Sequence, residues 1–165
     1  MAETTVLLTL GRLPKSLALA RALAAVGCRV VIADPFRWHL CRPSRDVARC
    51  YRVTAPNVDS DAYLAELRDI IAAENVRLVL PVSEEALHVA QLAGTLPPGV
   101  RLWSAPLSQL ARYHDKLSFV RHAAQRGLAV PATFEADKPE ATELARRSAF
   151  VEKPRHSCSG IGRSE

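Results

Sequence analysis

Two short apolar, β-branched runs, TTVLLTL at 4–10 and RVVIAD at 29–34, flank a segment with a different period. Neither run alternates polar with apolar residues, so each suits a strand buried on both faces of a sheet. Between them, in PKSLALARALAAVG, Leu17, Ala20 and Ala24 recur at helical spacing beside Leu19, Leu23 and Val26, and Gly27 stands where a helix would stop. A strand, a helix and a strand within about 30 residues predict a right-handed βαβ unit with a parallel pair. Gly11, directly after the first run, suits a sharp turn from strand into helix.

The pattern then repeats after an irregular stretch. Asp59 or Ser60 can cap a helix whose Leu64, Leu67, Ile70 and Ile71 form one apolar face, and VRLVLPV (76–82) follows as another strand. Ser83 is placed to cap a further helix with Glu84 and Glu85 in its first turn, where the helix dipole favours carboxylates. VRLWSAP (100–106) reads as a shorter strand at a sheet edge. Strands alternating with helices at this spacing predict an α/β fold: an open, mostly parallel, Rossmann-like sheet with helices on both faces.

From Pro106 the texture changes. PLSQLARYHDKLSFVRHAAQRGLAVP is mostly helical, with Leu117, Val120 and Ala124 along one face and Gly127 as terminator. ATFEA (132–136) reads as a strand, 139–148 as a helix and AFVEK (149–153) as a strand again. A boundary near 105–115 divides the chain into a first domain over 1–110 and a second over 111–165. Three elements bury little surface on their own, so the second is expected to be incomplete.

A content of 48% hydrophobic and 24% charged residues, without long polar tracts, places the chain among globular proteins rather than disordered or fibrous ones. Lys plus Arg exceed Asp plus Glu by 22 to 17, and the arginines are densest in FRWHLCRPSRDVARCYR (36–52). No nucleic-acid motif accompanies that charge, so a solvated, arginine-rich surface is expected and no nucleic-acid partner. Cys28, Cys41, Cys50 and Cys158 contain no C-x-x-C pair and read as reduced thiols. His39, Cys41 and Cys50 lack the spacing of a tetrahedral site, so no metal is assigned to them. No run has the roughly 18 uninterrupted apolar residues of a membrane span, and the N-terminus lacks a signal-peptide pattern, so a soluble, cytoplasmic protein is expected.

Two places can carry chemistry. After the first strand, a dinucleotide fold would want three glycines, so that backbone approaches a pyrophosphate; only Gly11 is present, and Asp34 ends the second strand where such folds keep an acid for a ribose. The pair reads first as a tight turn and a loop-capping carboxylate. The helix start over Gly11, Arg12 and Lys15 can still receive a small anion such as a carboxylate. The other place is FVEKPRHSCSGIG (150–162), where Lys153 and Pro154 lead into a small, polar, glycine-containing loop.

Taken in order, HDKLSFVRHAAQRGLAVPATF, then FVEKP about twenty residues later, then SCSGIG resemble the start of the ATP-grasp fold found in biotin carboxylase and carbamoyl-phosphate synthase. LPVSEEALHVA and the βα units before it look like the domain that precedes the nucleotide-binding unit in that family. The resemblance implies that Lys116 and Lys153 are the two lysines facing the ATP phosphates, as point charges in a partly water-excluded cleft. Ser157, Ser159, Gly160 and Gly162 match the loop that closes over the phosphates, glycines letting backbone N–H groups come close. Asp115 reads as a helix N-cap, and His156 and Cys158 as loop residues. Glu152 departs from the family, which commonly has an apolar residue there.

The resemblance further implies an ATP-dependent carboxylate–amine ligase working through an acyl phosphate, with ATP and Mg²⁺ as cofactors and a small carboxylate and an amine as substrates. The metal ligands of that family are expected beyond residue 165, which makes this chain an N-terminal fragment with little activity of its own. A homodimer is compatible with the sequence. The alternative is a non-catalytic α/β module that binds a nucleotide or a small anion.

Overall fold

The computed structural model describes residues 3–156 and divides the chain into two compact units, Met1–Leu107 and Ser108–Glu165. In the first, five strands form one sheet: β1 (Thr4–Thr9), β2 (Cys28–Asp34), β3 (Arg49–Arg52), β4 (Leu78–Leu80) and β5 (Arg101–Leu102). Their order is β3-β2-β1-β4-β5 and every pairing is parallel. β1 is central: Thr4 to Thr9 run alongside Cys28 to Ala33 on one side, and Val6 to Leu8 alongside Leu78 to Leu80 on the other.

Successive β1 side chains point to opposite faces, and both faces are covered. Val6 and Leu8 join Val30, Ile32 and Ala20 of α1 (Pro14–Ala25), with Leu17, Leu19 and Leu23 packed against them. Leu7 joins Val31, Val79 and the buried face of α2 (Ser60–Ala73), formed by Tyr63, Leu64, Leu67, Ile70 and Ile71. Val89 of α3 (Glu85–Val89) and Leu92 of the following 3-10 turn complete that layer. Two-sided burial is why β1 and β2 are continuous apolar runs rather than alternating ones.

Asp59 caps α2, its carboxylate accepting from Ala62 N at 2.9 Å. Ser83 does not cap α3. It adopts the left-handed conformation (φ 61°), its hydroxyl donates to Glu84, and α3 starts without a side-chain cap. The strand at 76–82 is confined to Leu78–Leu80, and that at 100–106 to Arg101–Leu102 at the sheet edge. β3 lies in the stretch read as irregular. RCYR carries no apolar pattern, and pairing of Val31 to Asp34 with Arg49 to Arg52 makes it a strand.

In the second unit the helical region is two helices, α4 (Leu107–His114) and α5 (Lys116–Gln125), broken at Asp115. Leu117 and Ala123 are the buried residues of α5, while Ala124, expected inside, is exposed. Gly127 follows at φ 78°, a backbone that a β-carbon would strain. α6 (Pro139–Arg147) stands as expected. The stretches 132–136 and 149–153 are not strands. Among the described residues neither has a ladder partner, and an extended segment without one has no backbone hydrogen bonds to make it a strand. Ala132 and Phe134 instead line an open groove with Leu144 of α6.

The double layer on β1 makes a stability prediction. Leu7→Ala should cost about 2–5 kcal/mol in urea unfolding, because a fully buried side chain leaves a cavity. Val26→Ala, at an exposed position, should stay within about 0.5 kcal/mol.

Candidate functional site

In an open parallel sheet the ligand crevice lies at the carboxyl ends of the strands, where the order reverses. Here that point is between β1 and β4. α1 leaves β1 for one face of the sheet, and α3 follows β4 on the other. Both turns are strained: Leu10 (φ 59°) and Ser83 (φ 61°) occupy the left-handed region without being glycine. Leu10 is held there by Ser16, whose buried hydroxyl donates to its carbonyl at 2.6 Å. Thr9 ties the two strand ends together, its hydroxyl oxygen accepting from Val82 N at 3.2 Å.

Gly11 is required by space. A β-carbon there would come within 2.5 Å of Ile32 Cγ2 and 2.7 Å of His39 Nδ1. Its carbonyl accepts from Cys41 N at 3.0 Å, so the segment after β2 crosses the end of β1. Arg12 next to it closes on Asp34: the backbone N–H and Nη1 each donate to the Asp34 carboxylate at 3.1 Å. Asp34 is fully buried and also accepts from Phe36 N at 2.8 Å. The other end of the guanidinium, Nη2, lies 3.8 Å from Glu85 Oε1. Glu85 in turn accepts from the Tyr63 hydroxyl at 2.7 Å in a buried contact.

Burial sets the protonation of this cluster. It pushes the Glu85 carboxyl above the usual carboxylate range, against the opposing pull of the Tyr63 hydroxyl and Arg12. Burial, with Glu85 beside it, also drives the Tyr63 hydroxyl far upward, and burial lowers the His39 imidazole. Of the residues expected to meet an anion, Gly11 and Arg12 belong to this cluster, whereas Lys15 is exposed on the first turn of α1. Arg12 spends its charge largely on Asp34. The partnership of Tyr63 and Glu85 has no local sequence signal, since Glu85 suits a helix dipole and Tyr63 stands among ordinary helix residues.

The second unit holds the two lysine segments. Asp115 caps α5, accepting from Leu117 N at 3.1 Å, Ser118 N at 3.3 Å and Ser118 Oγ at 2.7 Å. Its carboxylate also takes a two-pronged contact from Arg155, Nε at 2.8 Å and Nη2 at 2.6 Å. The Arg155 guanidinium and the Ser118 donors hold the Asp115 carboxyl well below the usual carboxylate range. Lys116 Nζ donates to the Pro154 carbonyl at 3.0 Å, and Lys116 N to the Arg155 carbonyl at 3.2 Å. The chain at Lys116 is thus tied to the chain directly after Lys153, with Lys116 and Pro154 38 residues apart in order. Lys153 itself is exposed. Ser157, Ser159, Gly160 and Gly162 lie outside the described residues. Nothing local in the sequence marks Arg155 as the partner of Asp115, 40 residues away.

Among the described residues, no three His, Cys, Asp or Glu side chains are placed to hold a metal ion, and no helix is long and apolar enough to cross a membrane. Cys28, Cys41 and Cys50 are free thiols.

The raised Glu85 pKa has a definite sign in stability. A carboxyl that favours its neutral form in the folded state supports folding below the unfolded-state value, near 4.3, and loses that support as pH rises through its folded value. Urea unfolding of the wild type should therefore show a decline above that range, which Glu85→Gln should flatten. A pH profile identical in the two proteins would refute the assignment.

No protein-family model matches the sequence, and no curated protein matches it. Solved structures do match in fold. An L-amino acid ligase from Bacillus licheniformis superposes with a TM-score of 0.67 at 17% identity, over 95% of this chain and 38% of that one. N5-carboxyaminoimidazole synthetase from Staphylococcus aureus gives 0.69 at 16%, over 99% and 41%. The biotin carboxylase domain of the Hydrogenobacter thermophilus 2-oxoglutarate carboxylase, solved with MgADP, ADP and bicarbonate, gives 0.69 at 16%, over 99% and 38%. The chain thus spans about two fifths of the length of these structures, 38–41%. The likeness lies in the N-terminal part of each. The chain therefore has the fold of the N-terminal part of the ATP-grasp ligases.

Proposed function

We propose that this chain supplies the amino-terminal part of an ATP-dependent carboxylate–amine ligase, with Lys116 and Lys153 facing the ATP phosphates. The observation that carries this reading is the tie between the two lysine segments, Lys116 Nζ on the Pro154 carbonyl at 3.0 Å beside the Asp115–Arg155 pair. The Pro154 carbonyl accepts a Lys116 N–H, which seats the Lys116 ammonium beside the segment that carries Lys153. The donor set suits phosphate oxygens, since each lysine is a compact positive charge that can meet several of them.

The described residues offer no set of carboxylates for Mg²⁺, and in this reading the metal takes its ligands from other parts of the ligase. ATP supplies the phosphoryl group that converts a carboxylate to an acyl phosphate, which an amine then attacks. Lys116 and Lys153 would balance phosphate charge and hold the chain in position for transfer. Asp115 and Arg155 would fix the spacing between the lysine segments, and the loop with Ser157, Ser159, Gly160 and Gly162 would close over the phosphates. In the first unit, the turn at Gly11, Arg12 and Lys15 would face the small carboxylate substrate, through backbone and Lys15 more than through Arg12. The likeness to a biotin carboxylase domain and to an N5-carboxyaminoimidazole synthetase, both solved with ADP, supports this reading.

In the complete ligase, Lys153→Ala should raise the KM for ATP or lower kcat by about tenfold or more, the scale of one charged hydrogen bond. Arg155→Ala should produce part of that loss by freeing the two segments from each other. Wild-type ATP kinetics in Lys153→Ala would overturn the phosphate role. AMP-PNP binding without ligation of any carboxylate would favour the non-catalytic module.

A further inference from the structure

The segment after β2, PFRWHLCR at 35–42, displays its aromatic residues outward. Phe36 is 59% exposed and Trp38 75% exposed, although burying such a ring gains about 1.5–3 kcal/mol or more. Each ring is overlaid by guanidinium. Arg12 lies 4.8 Å from the centroid of Phe36, and Arg37 and Arg42 lie 5.5 and 5.3 Å from that of Trp38. Such stacking orients a guanidinium by its face and leaves its N–H donors at the rim. Among the described residues neither Arg37 nor Arg42 enters an ion pair, in contrast to Arg12, which Asp34 holds.

The display is fixed in place. Asp34 accepts from Phe36 N at 2.8 Å, Arg52 Nε donates to the Pro35 carbonyl at 3.4 Å, and Cys41 is fully buried with its N–H on the Gly11 carbonyl. The wall therefore stands over the end of β1, beside the point where the strand order reverses. An indole overlaid by two guanidinium groups offers a flat cationic layer with N–H donors at its edge, which complements a flat ring that carries an anionic group. Two rings two positions apart give a footprint for one ligand ring, rather than the extended track that a strand of bases follows.

We propose that residues 36–42 form a recognition wall for a small ligand made of an aromatic or heteroaromatic ring bearing a phosphate or carboxylate. The ring stacks on the guanidinium layer over Trp38, and the anion meets the N–H donors of Arg37 and Arg42. This rests on the reading of the first unit as the substrate-holding part of a ligase, and it names the chemical class of that substrate.

Trp103→Phe leaves Trp38 as the one remaining tryptophan of the two in the sequence, so its emission reports on this wall alone. The 165-residue chain carrying that change is titrated with phenyl phosphate, and separately with phenol and with inorganic phosphate. Saturable quenching by phenyl phosphate is expected, with either control weaker by about tenfold or more. Arg42→Ala should loosen it about fivefold with an unchanged circular dichroism spectrum, as removal of one exposed charge would. A flat titration overturns the proposal, as does an equal response to phenol or to phosphate. Tighter binding of oligothymidylate than of phenyl phosphate overturns it in favour of a nucleic-acid surface. Neither ATP nor turnover enters this readout. A flat titration thus leaves the ligase reading standing, while phenyl phosphate binding beside wild-type ATP kinetics of Lys153→Ala in the complete ligase would overturn the phosphate role of the lysines alone.

Discussion

The parallel ladder that β1 makes with β2 on one side and β4 on the other is the constraint on which the first unit depends. A central parallel strand has both edges paired and both faces covered, so its residues must be apolar throughout and its neighbours must be reached by helical crossovers. The chain leaves β1 toward one face and leaves β4 toward the other. That divergence opens the strand ends between them, and two non-glycine residues, Leu10 and Ser83, take up left-handed backbone to make the turns. Strain of this kind persists only where surrounding contacts enforce it. Ser16 on the Leu10 carbonyl and Thr9 on Val82 N are those contacts here.

The polar groups at these strand ends are largely satisfied by one another. Asp34 is buried with Arg12, and Glu85 with Tyr63, so the charge nearest the sheet is mostly internal structure. What faces outward is the segment after β2, with its rings and the arginines that lie over them. In the second unit a comparable internal pair, Asp115 with Arg155, joins a helix start to a distant stretch of chain and brings the surroundings of Lys116 and Lys153 together. In both units a buried or capped carboxylate holding an arginine organises the positions from which binding is proposed.

Much of this was legible because period and composition are local signals. The runs at 4–10 and 29–34, the apolar face of α2 and the caps at Asp59 and Asp115 all depend on neighbours within a turn or a strand. β3 was not legible: RCYR has the composition of a solvated loop and becomes a strand through its partner β2. The opposite error occurred at 132–136 and 149–153, whose β-like composition finds no partner strand among the described residues. Ser83 has the chemistry of an N-cap, yet the turn out of β4 forces it into a backbone that points its hydroxyl elsewhere.

The sequence by itself determined a parallel α/β layer with two-faced burial and the first strand–helix–strand unit of its sheet. Those follow from periodicity and from residue types acting over a few positions. Tertiary structure alone decided that Arg12 turns inward to Asp34, that burial raises the Glu85 carboxyl where it meets the Tyr63 hydroxyl, and that Arg155 draws its segment to Asp115. Each of these pairs spans twenty residues or more of chain. The energy of a charge depends on what surrounds it in space, and a string of residues does not state its surroundings.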